Sequence, residues 1–247
     1  MGTQRIFRLF TFVTLCAFAA YSSLVDTQNR LREQYREVYI AADHQEVVYK
    51  SINSSVRVVS TLGFLEDSDI TASSSGTYFA HNDRYYIITA QHSLIGECET
   101  TMIVADDFMY NCIDIVFLDH TKDIGIMEVE KIFNRIPITI DDVLQTASDA
   151  VIHTGVHENL LYTGYPQGHG PFTFDGKIVS HRIENGLFFA HSYAWSGSSG
   201  SGVFNSKGKL VGVLTAVSVA NSEYGVDVME DLIIITSIRL SDFQGVL

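Results

Sequence analysis

The run Trp195-Ser196-Gly197-Ser198-Ser199-Gly200-Ser201-Gly202 carries the strongest chemical signal in this chain. A flexible linker stays polar on both sides. This run instead enters Val203-Phe204-Asn205 and then, past Ser206-Lys207-Gly208, Lys209-Leu210-Val211-Gly212-Val213-Leu214. Two apolar, β-branched segments around a short polar break predict a β-hairpin, with the Ser/Gly run as a tight loop feeding it. Glycines let backbone N–H groups turn toward one point, where an anion can be held. A serine in such a loop has the layout of a nucleophile beside an oxyanion hole. The expected nucleophile is Ser199, with the amides of Gly197 and Ser199 as donors. A Gly/Ser turn without chemistry has the same composition, so the loop alone does not decide.

A serine hydroxyl is a poor nucleophile at neutral pH. It needs a base within hydrogen-bond reach, and that base needs an orienting acid. Of nine histidines, His92 stands apart because it ends an apolar strand pattern, Ile87-Ile88-Thr89-Ala90-Gln91-His92. A histidine where a strand spills into a loop can reach a cleft. Asp123 precedes the apolar strand Ile124-Gly125-Ile126-Met127, so its carboxylate would sit at a strand mouth. Singly, each has a bland structural reading. Together they occupy comparable strand-edge positions in the order His, Asp, Ser. An α/β-hydrolase site is disfavoured, because Ser201 stands where Gly-x-Ser-x-Gly needs its second glycine and no histidine follows Ser199. His153 and His157 have a metal-like spacing, but Gly155 and a strand pattern spoil the helix that would align them. No metal and no cofactor are expected.

These residues need a scaffold, and the composition allows one. The chain has 247 residues, 46% hydrophobic and 18% charged, with three prolines. That suffices for a buried core and argues against disorder. Sixteen basic against 29 acidic residues give a net charge of −13, which argues against nucleic acid as a partner. From Ser54 onward the hydrophobic period is two. Segments at 56–60, 76–80, 85–90, 101–104, 113–117 and 124–129 form one strand series. A second series starts at Ala150 with 151–154, 160–165, 177–179, 187–189, the hairpin around Gly208, and 232–237. Two such series suggest two barrels.

The N-terminal region has a different texture. Arg5 and Arg8 precede an apolar run from Leu9, with Ala17-Phe18-Ala19 as a small-residue cleavage pattern. Residues 1–25 therefore read as a signal peptide or an uncleaved membrane anchor. Either exports the rest of the chain, secreted or periplasmic if cut and membrane-anchored if not. Residues 26–50 alternate charges around Leu31, Tyr35, Val38 and Tyr39 at three- and four-residue steps, an amphipathic helix read as a stalk. Cys98 and Cys112 flank one predicted strand. An oxidising compartment would permit a disulfide between them, and two buried thiols are the alternative.

Thr89-Ala90-Gln91-His92, Asp123-Ile124-Gly125-Ile126-Met127 and Gly197-Ser198-Ser199-Gly200 resemble the three motifs of trypsin-like (chymotrypsin-fold) serine proteases. Ser75-Gly76-Thr77, Gly164-Tyr165-Pro166 and Gly176-Lys177-Ile178-Val179-Ser180 are similar to segments of their HtrA-like branch. The likeness covers about residues 54–240. It implies an all-β fold of two six-stranded antiparallel β-barrels, about 54–145 and 146–247, within a protease domain over 51–247. No PDZ-like domain is expected after Leu247.

The implied function is a serine endopeptidase acting on polypeptides through His92, Asp123 and Ser199. Substrate would pair along Leu214-Thr215-Ala216. The side-chain pocket would be lined by Tyr193, Ala194 and Val217 together with that strand. No acid lines it, so an apolar or small residue is expected before the cut bond, although His191 nearby could favour an acidic one. Ser201-Gly202 departs from the usual Gly-Pro, and Gln91 from a small residue. A protease-like binding or structural module that no longer cleaves is the rival reading.

Overall fold

The computed structural model describes Arg30 and residues 44–62, 70–143, 155–182, 186–222, 225–239 and 243. The leader, most of the proposed stalk, and the strand expected over 151–154 with His153 lie outside these residues. The chain divides into Met1–Gln45 and Glu46–Leu247, and the second unit carries both barrels. Among the described residues, no helix is long and apolar enough to cross a membrane.

Helix persists over 44–54, past the end expected at Lys50. Val47 and Ser51, one turn apart on one face, are both buried. Val47 joins an apolar cluster, and Ser51 Oγ donates to Thr163 Oγ1 at 2.8 Å. Lys50 Nζ meets Asp142 at 2.8 Å.

The first barrel is built from β1 (Ser55–Leu62), β2 (Ile70–His81), β3 (Arg84–Ala90), β4 (Thr101–Ala105), β5 (Phe108–Asp119) and β6 (Ile124–Val129). They run in the order β1-β4-β5-β6-β3-β2, closed by β1–β2 pairing, with the short β7 (Ile138–Thr139) laid parallel on β2. The second barrel comprises β8 (Asn159–Gly164), β9 (Phe172–Arg182), β10 (Leu187–His191), β11 (Gly202–Asn205), β12 (Leu210–Ser222) and β13 (Gly225–Ser237). Its closed order is β10-β13-β12-β11-β8-β9. Both barrels are six-stranded and antiparallel, as the sequence led us to expect.

Three apolar clusters explain why the central strands read as unbroken hydrophobic runs. Successive side chains point to opposite faces of a strand. In β6, Met127 and Val129 face the core of the first barrel. Ile124 and Ile126 face the seam between barrels, where Phe79, Tyr86 and Ile88 meet Leu161, Phe204, Leu210 and Val213. Val203 turns into the second core with Tyr162, Ile178, Phe188, Leu214, Ile233 and Ile235. A strand buried on both faces loses its polar alternation. Each fully buried Ile or Phe in this seam contributes about 1.5–3 kcal/mol relative to exposure.

Several strands extend further than their apolar segments. β2 begins at Ile70, and its Thr-Ala-Ser-Ser-Ser run has no hydrophobic period. β12 and β13 continue as a two-stranded ribbon through Ser222↔Gly225. Cys98 and Cys112 are joined in a disulfide that ties the turn Cys98–Thr100 to β5.

Candidate active site

β3 and β6 pair antiparallel with Ala90 opposite Ile124, so the residues just past one strand meet those just before the other. The chain leaves β3 into a single 3-10 turn, Gln91–Ser93, and Gln91 N donates to Asp123 O at 3.1 Å. Asp123 itself has φ +55, a left-handed conformation that aspartate tolerates better than most residues. Its carboxylate takes two bonds from one residue. His92 N donates to Oδ1 at 2.9 Å, and His92 Nδ1 lies 2.7 Å from Oδ2. An ionised carboxylate can only accept, so Nδ1 carries the proton and neutral His92 presents Nε2 as its lone-pair nitrogen. The hydrogen bond to Asp123 holds the His92 pKa above its ordinary value, against the opposing effect of burial. The imidazole is half exposed, at 49%, so its outer edge faces solvent.

The Ser/Gly loop is anchored on the first barrel. Ser75 on β2 does most of this. Its amide donates to Ser199 O at 2.8 Å, and its hydroxyl donates to Gly197 O at 2.7 Å. The same hydroxyl accepts from Tyr165 N at 2.8 Å, and Ser75 O accepts from Thr89 Oγ1 at 2.7 Å. Two residues on, Thr77 Oγ1 accepts from Gly202 N at 2.8 Å. The loop lies so close that a Cβ on Gly200 would stand 2.0 Å from Ser75 O and 2.2 Å from Thr89 Oγ1. Gly200 also has φ +90, so the position is closed to other residues on both counts. Thr89 precedes His92 by three residues. The loop bearing Ser199 is therefore docked on the end of the strand that delivers the histidine.

The amides of the loop divide into two groups. Ser198 N donates to Trp195 O, Gly200 N to Leu214 O and Ser201 N to Ser198 O. Among the described residues, the amides of Gly197 and Ser199 have no acceptor within the protein. In a planar trans peptide the C=O and N–H point opposite ways. Gln167 N holds Ser196 O at 2.6 Å and thereby aims Gly197 N–H. Gly197 reaches this geometry at φ +94.

Other expected site residues are distributed as follows. Leu214 is buried in the second core, with both backbone groups engaged. Its N–H donates to Ser201 O at 2.9 Å, and its C=O accepts from Gly200 N. β12 pairs with β11 only as far as Val213, and Thr215 sits in a bulge of the pairing with β13. Among the described residues, no strand covers the β11-side edge beyond Leu214. Ala216 is exposed and Val217 half-buried. Ala194 is buried, whereas Tyr193 is 55% exposed.

An aromatic series follows that the sequence did not suggest. Tyr162 stacks on Phe174 at 5.2 Å, Phe174 meets Trp195 at 5.7 Å, and Trp195 stacks on Tyr193 at 6.2 Å. The Tyr162 hydroxyl donates to Tyr193 O, and burial raises its pKa. These rings come from β8, β9 and the loop before Ser199, so no local spacing signals them. His191 lies outside the group, with Nε2 3.7 Å from Asp231 on an exposed surface. His157 sits in a turn with φ +74. Among the described residues, no three His, Cys, Asp or Glu side chains are grouped as a metal would require.

Residues 74–213 match the trypsin-like peptidase domain family. No curated protein matches the chain. Among solved structures, a serine endoprotease from Yersinia pestis is similar with a TM-score of 0.59 at 17% identity. It is matched over 78% of this chain and 62% of its own length, so this chain spans less than two thirds of it. The active form of the Rv3671c protease of M. tuberculosis has a TM-score of 0.59 at 15% identity, covering 81% of this chain and 82% of that one. An inactive form of the same protease has a TM-score of 0.56 at 14% identity, covering 81% and 87%. At these identities the likeness is one of fold.

Proposed function

The chain belongs to the trypsin-like peptidase family, and on that premise we propose that it is a serine endopeptidase working through His92, Asp123 and Ser199. The observation that carries this reading is the doubly bonded His92–Asp123 couple at the end of the strand on which the Ser199 loop is docked. In the proposed reaction, Nε2 of His92 takes the proton from Ser199 Oγ as that oxygen attacks a peptide carbonyl. The carbonyl π bond opens onto oxygen, and the amides of Gly197 and Ser199 bind the resulting oxyanion. The oxyanion then collapses, the C–N bond breaks, and His92 returns its proton to the departing amine. Water repeats the sequence on the acyl-enzyme and frees Ser199. Asp123 holds the required tautomer and stabilises the imidazolium.

Substrate binds as an added strand along the edge of β12 that starts at Thr215, past the engaged backbone of Leu214. Tyr193, Ala194 and Val217 wall the side-chain pocket, and none carries a charge. The expected preference before the cut bond is a small or medium apolar residue. The purified chain is offered a peptide library, and the cleaved positions are read by mass spectrometry. Cleavage after Ala, Val, Leu or similar residues is the expected result. Cleavage mainly after Lys or Arg defeats the pocket assignment, and no cleavage together with no labelling by a serine-directed phosphonate defeats the enzyme reading.

We also propose that the peptidase unit is exported, through a leader over residues 1–25 that is either cut or kept as an anchor. The Cys98–Cys112 disulfide supports this, because such bonds persist in oxidising compartments. The intact mass of the mature chain tests both points. It shows whether the leader is gone and whether the two thiol hydrogens are lost. A full-length chain with free thiols overturns the proposal.

A further inference from the structure

Ser201 occupies a position where the resemblance leads one to expect glycine, and its hydroxyl is fully buried. A buried hydroxyl without a partner is costly, so where this one donates is informative. It donates to Ser198 O at 2.8 Å, and the Ser201 amide reaches the same oxygen at 3.2 Å. That oxygen belongs to the peptide linking Ser198 to Ser199. The N–H of the same peptide is the Ser199 amide, one of the two without an acceptor among the described residues. Fixing the carbonyl on one side of a planar peptide aims the N–H on the other.

We propose that the Ser201 hydroxyl is a positioning group that locks the Ser198–Ser199 peptide with the Ser199 N–H directed at the developing oxyanion. The inference rests on the serine endopeptidase reading and adds to it a residue outside the triad and the oxyanion donors.

Two neighbours make the lock specific. Ser201 O accepts from Leu214 N at 2.9 Å, so the residue is stitched to β12 and its side chain has a fixed origin. At the end of β8, Gly164 leaves room for the hydroxyl, because a Cβ there would stand 2.2 Å from Ser201 Oγ and 2.9 Å from Ser75 Oγ. The other amide of the proposed hole is aimed by a different means, through Gln167 N on Ser196 O. The two donors are therefore set independently. Losing the Ser201 hydroxyl leaves Ser198 O with only the longer backbone bond, which permits the peptide to rotate. A rotated peptide weakens binding of the transition state and leaves the ground-state contacts of substrate along β12 unchanged.

The test compares wild type, Ser201→Ala and Gly164→Ala in the full chain. It uses kcat and KM on a cleaved peptide, affinity for a peptide aldehyde whose hemiacetal oxygen occupies the oxyanion hole, and thermal unfolding. For Ser201→Ala, kcat and aldehyde affinity are expected to fall about tenfold, as one hydrogen bond warrants, with KM within about twofold. Unfolding should stay near wild type. Gly164→Ala, which displaces the hydroxyl, should reproduce the fall in kcat. An active wild type with Ser201→Ala unchanged in kcat and aldehyde affinity overturns the lock. So does a loss confined to KM, or one that merely follows a drop in melting temperature. A wild type that neither cleaves nor takes the phosphonate label instead removes the enzyme reading on which the lock depends.

Discussion

Ser199→Ala is expected to lower kcat by about 10⁶-fold, the scale seen when a serine nucleophile is removed from a unit of this kind. The fold should survive the change. Ser199 is anchored by its backbone carbonyl on Ser75 N, and that bond is indifferent to the side chain. Its hydroxyl has no hydrogen bond within the protein among the described residues, so nothing buried is orphaned by its loss. The measurement pairs turnover of a cleavable peptide with labelling by a serine-directed phosphonate, followed by peptide mapping. Wild type should carry the label on Ser199, and the variant should carry none. Cleavage within tenfold of wild type, or label on another serine, would end the assignment. Ser198 and Ser201 serve as internal controls, because both are fully buried while Ser199 is only half-buried.

Asp123→Asn should lower kcat about 10⁴-fold and move the pH profile, for reasons readable in the geometry. The asparagine side chain can offer N–H where the carboxylate accepted, which favours the imidazole tautomer with the proton on the wrong nitrogen. The backbone should accommodate it, since asparagine tolerates the left-handed conformation found at Asp123. As a general base, His92 must be neutral, so activity rises as pH climbs through its pKa. In the wild type the hydrogen bond to Asp123 holds that pKa above the ordinary histidine value. The acid limb of kcat/KM therefore lies higher than for an unassisted histidine, and in the variant it should shift to lower pH. An acid limb that stays in place would show that another group controls it. The sign for stability is opposite. A histidine whose pKa is raised on folding lends stability that is full below its unfolded pKa and is lost as pH rises through the folded one. The couple thus adds least to folding where it would serve catalysis.

The sequence carried the residues of this site further than it carried their support. His92 and Asp123 were visible because each abuts an apolar strand, and strand edges are where a polar side chain meets a cleft without breaking a core. Ser199 was visible because it stands among Gly197, Gly200 and Gly202 in a run that enters apolar strands directly. Ser75, Thr77 and Thr89 left a weaker trace, namely small polar residues inside strands that prove fully buried. Ser75 and Thr77 act on partners 90 and 125 positions away, Tyr165 N and Gly202 N, and Thr89 acts through Ser75 O, 14 positions off. The aromatic series from Tyr162 to Tyr193 left no trace, because its members come from three separate segments.

Local chemistry in the chain was enough to set the strand content and the two-barrel plan, and to single out His92, Asp123 and Ser199 as candidates. Those follow from period-two burial, from glycine taking backbone conformations others avoid, and from polar residues placed at strand edges. Folding in three dimensions alone decided which amides stay without acceptors, which carbonyls are clamped, and where on β12 an open edge begins. Most of these are settled by hydrogen bonds between the Ser/Gly loop and segments packed against it, namely Gln167 on Ser196 O, Leu214 with Gly200 and Ser201, and Ser75 with Gly197 and Ser199, and a pairing between distant segments writes no periodicity into either of them.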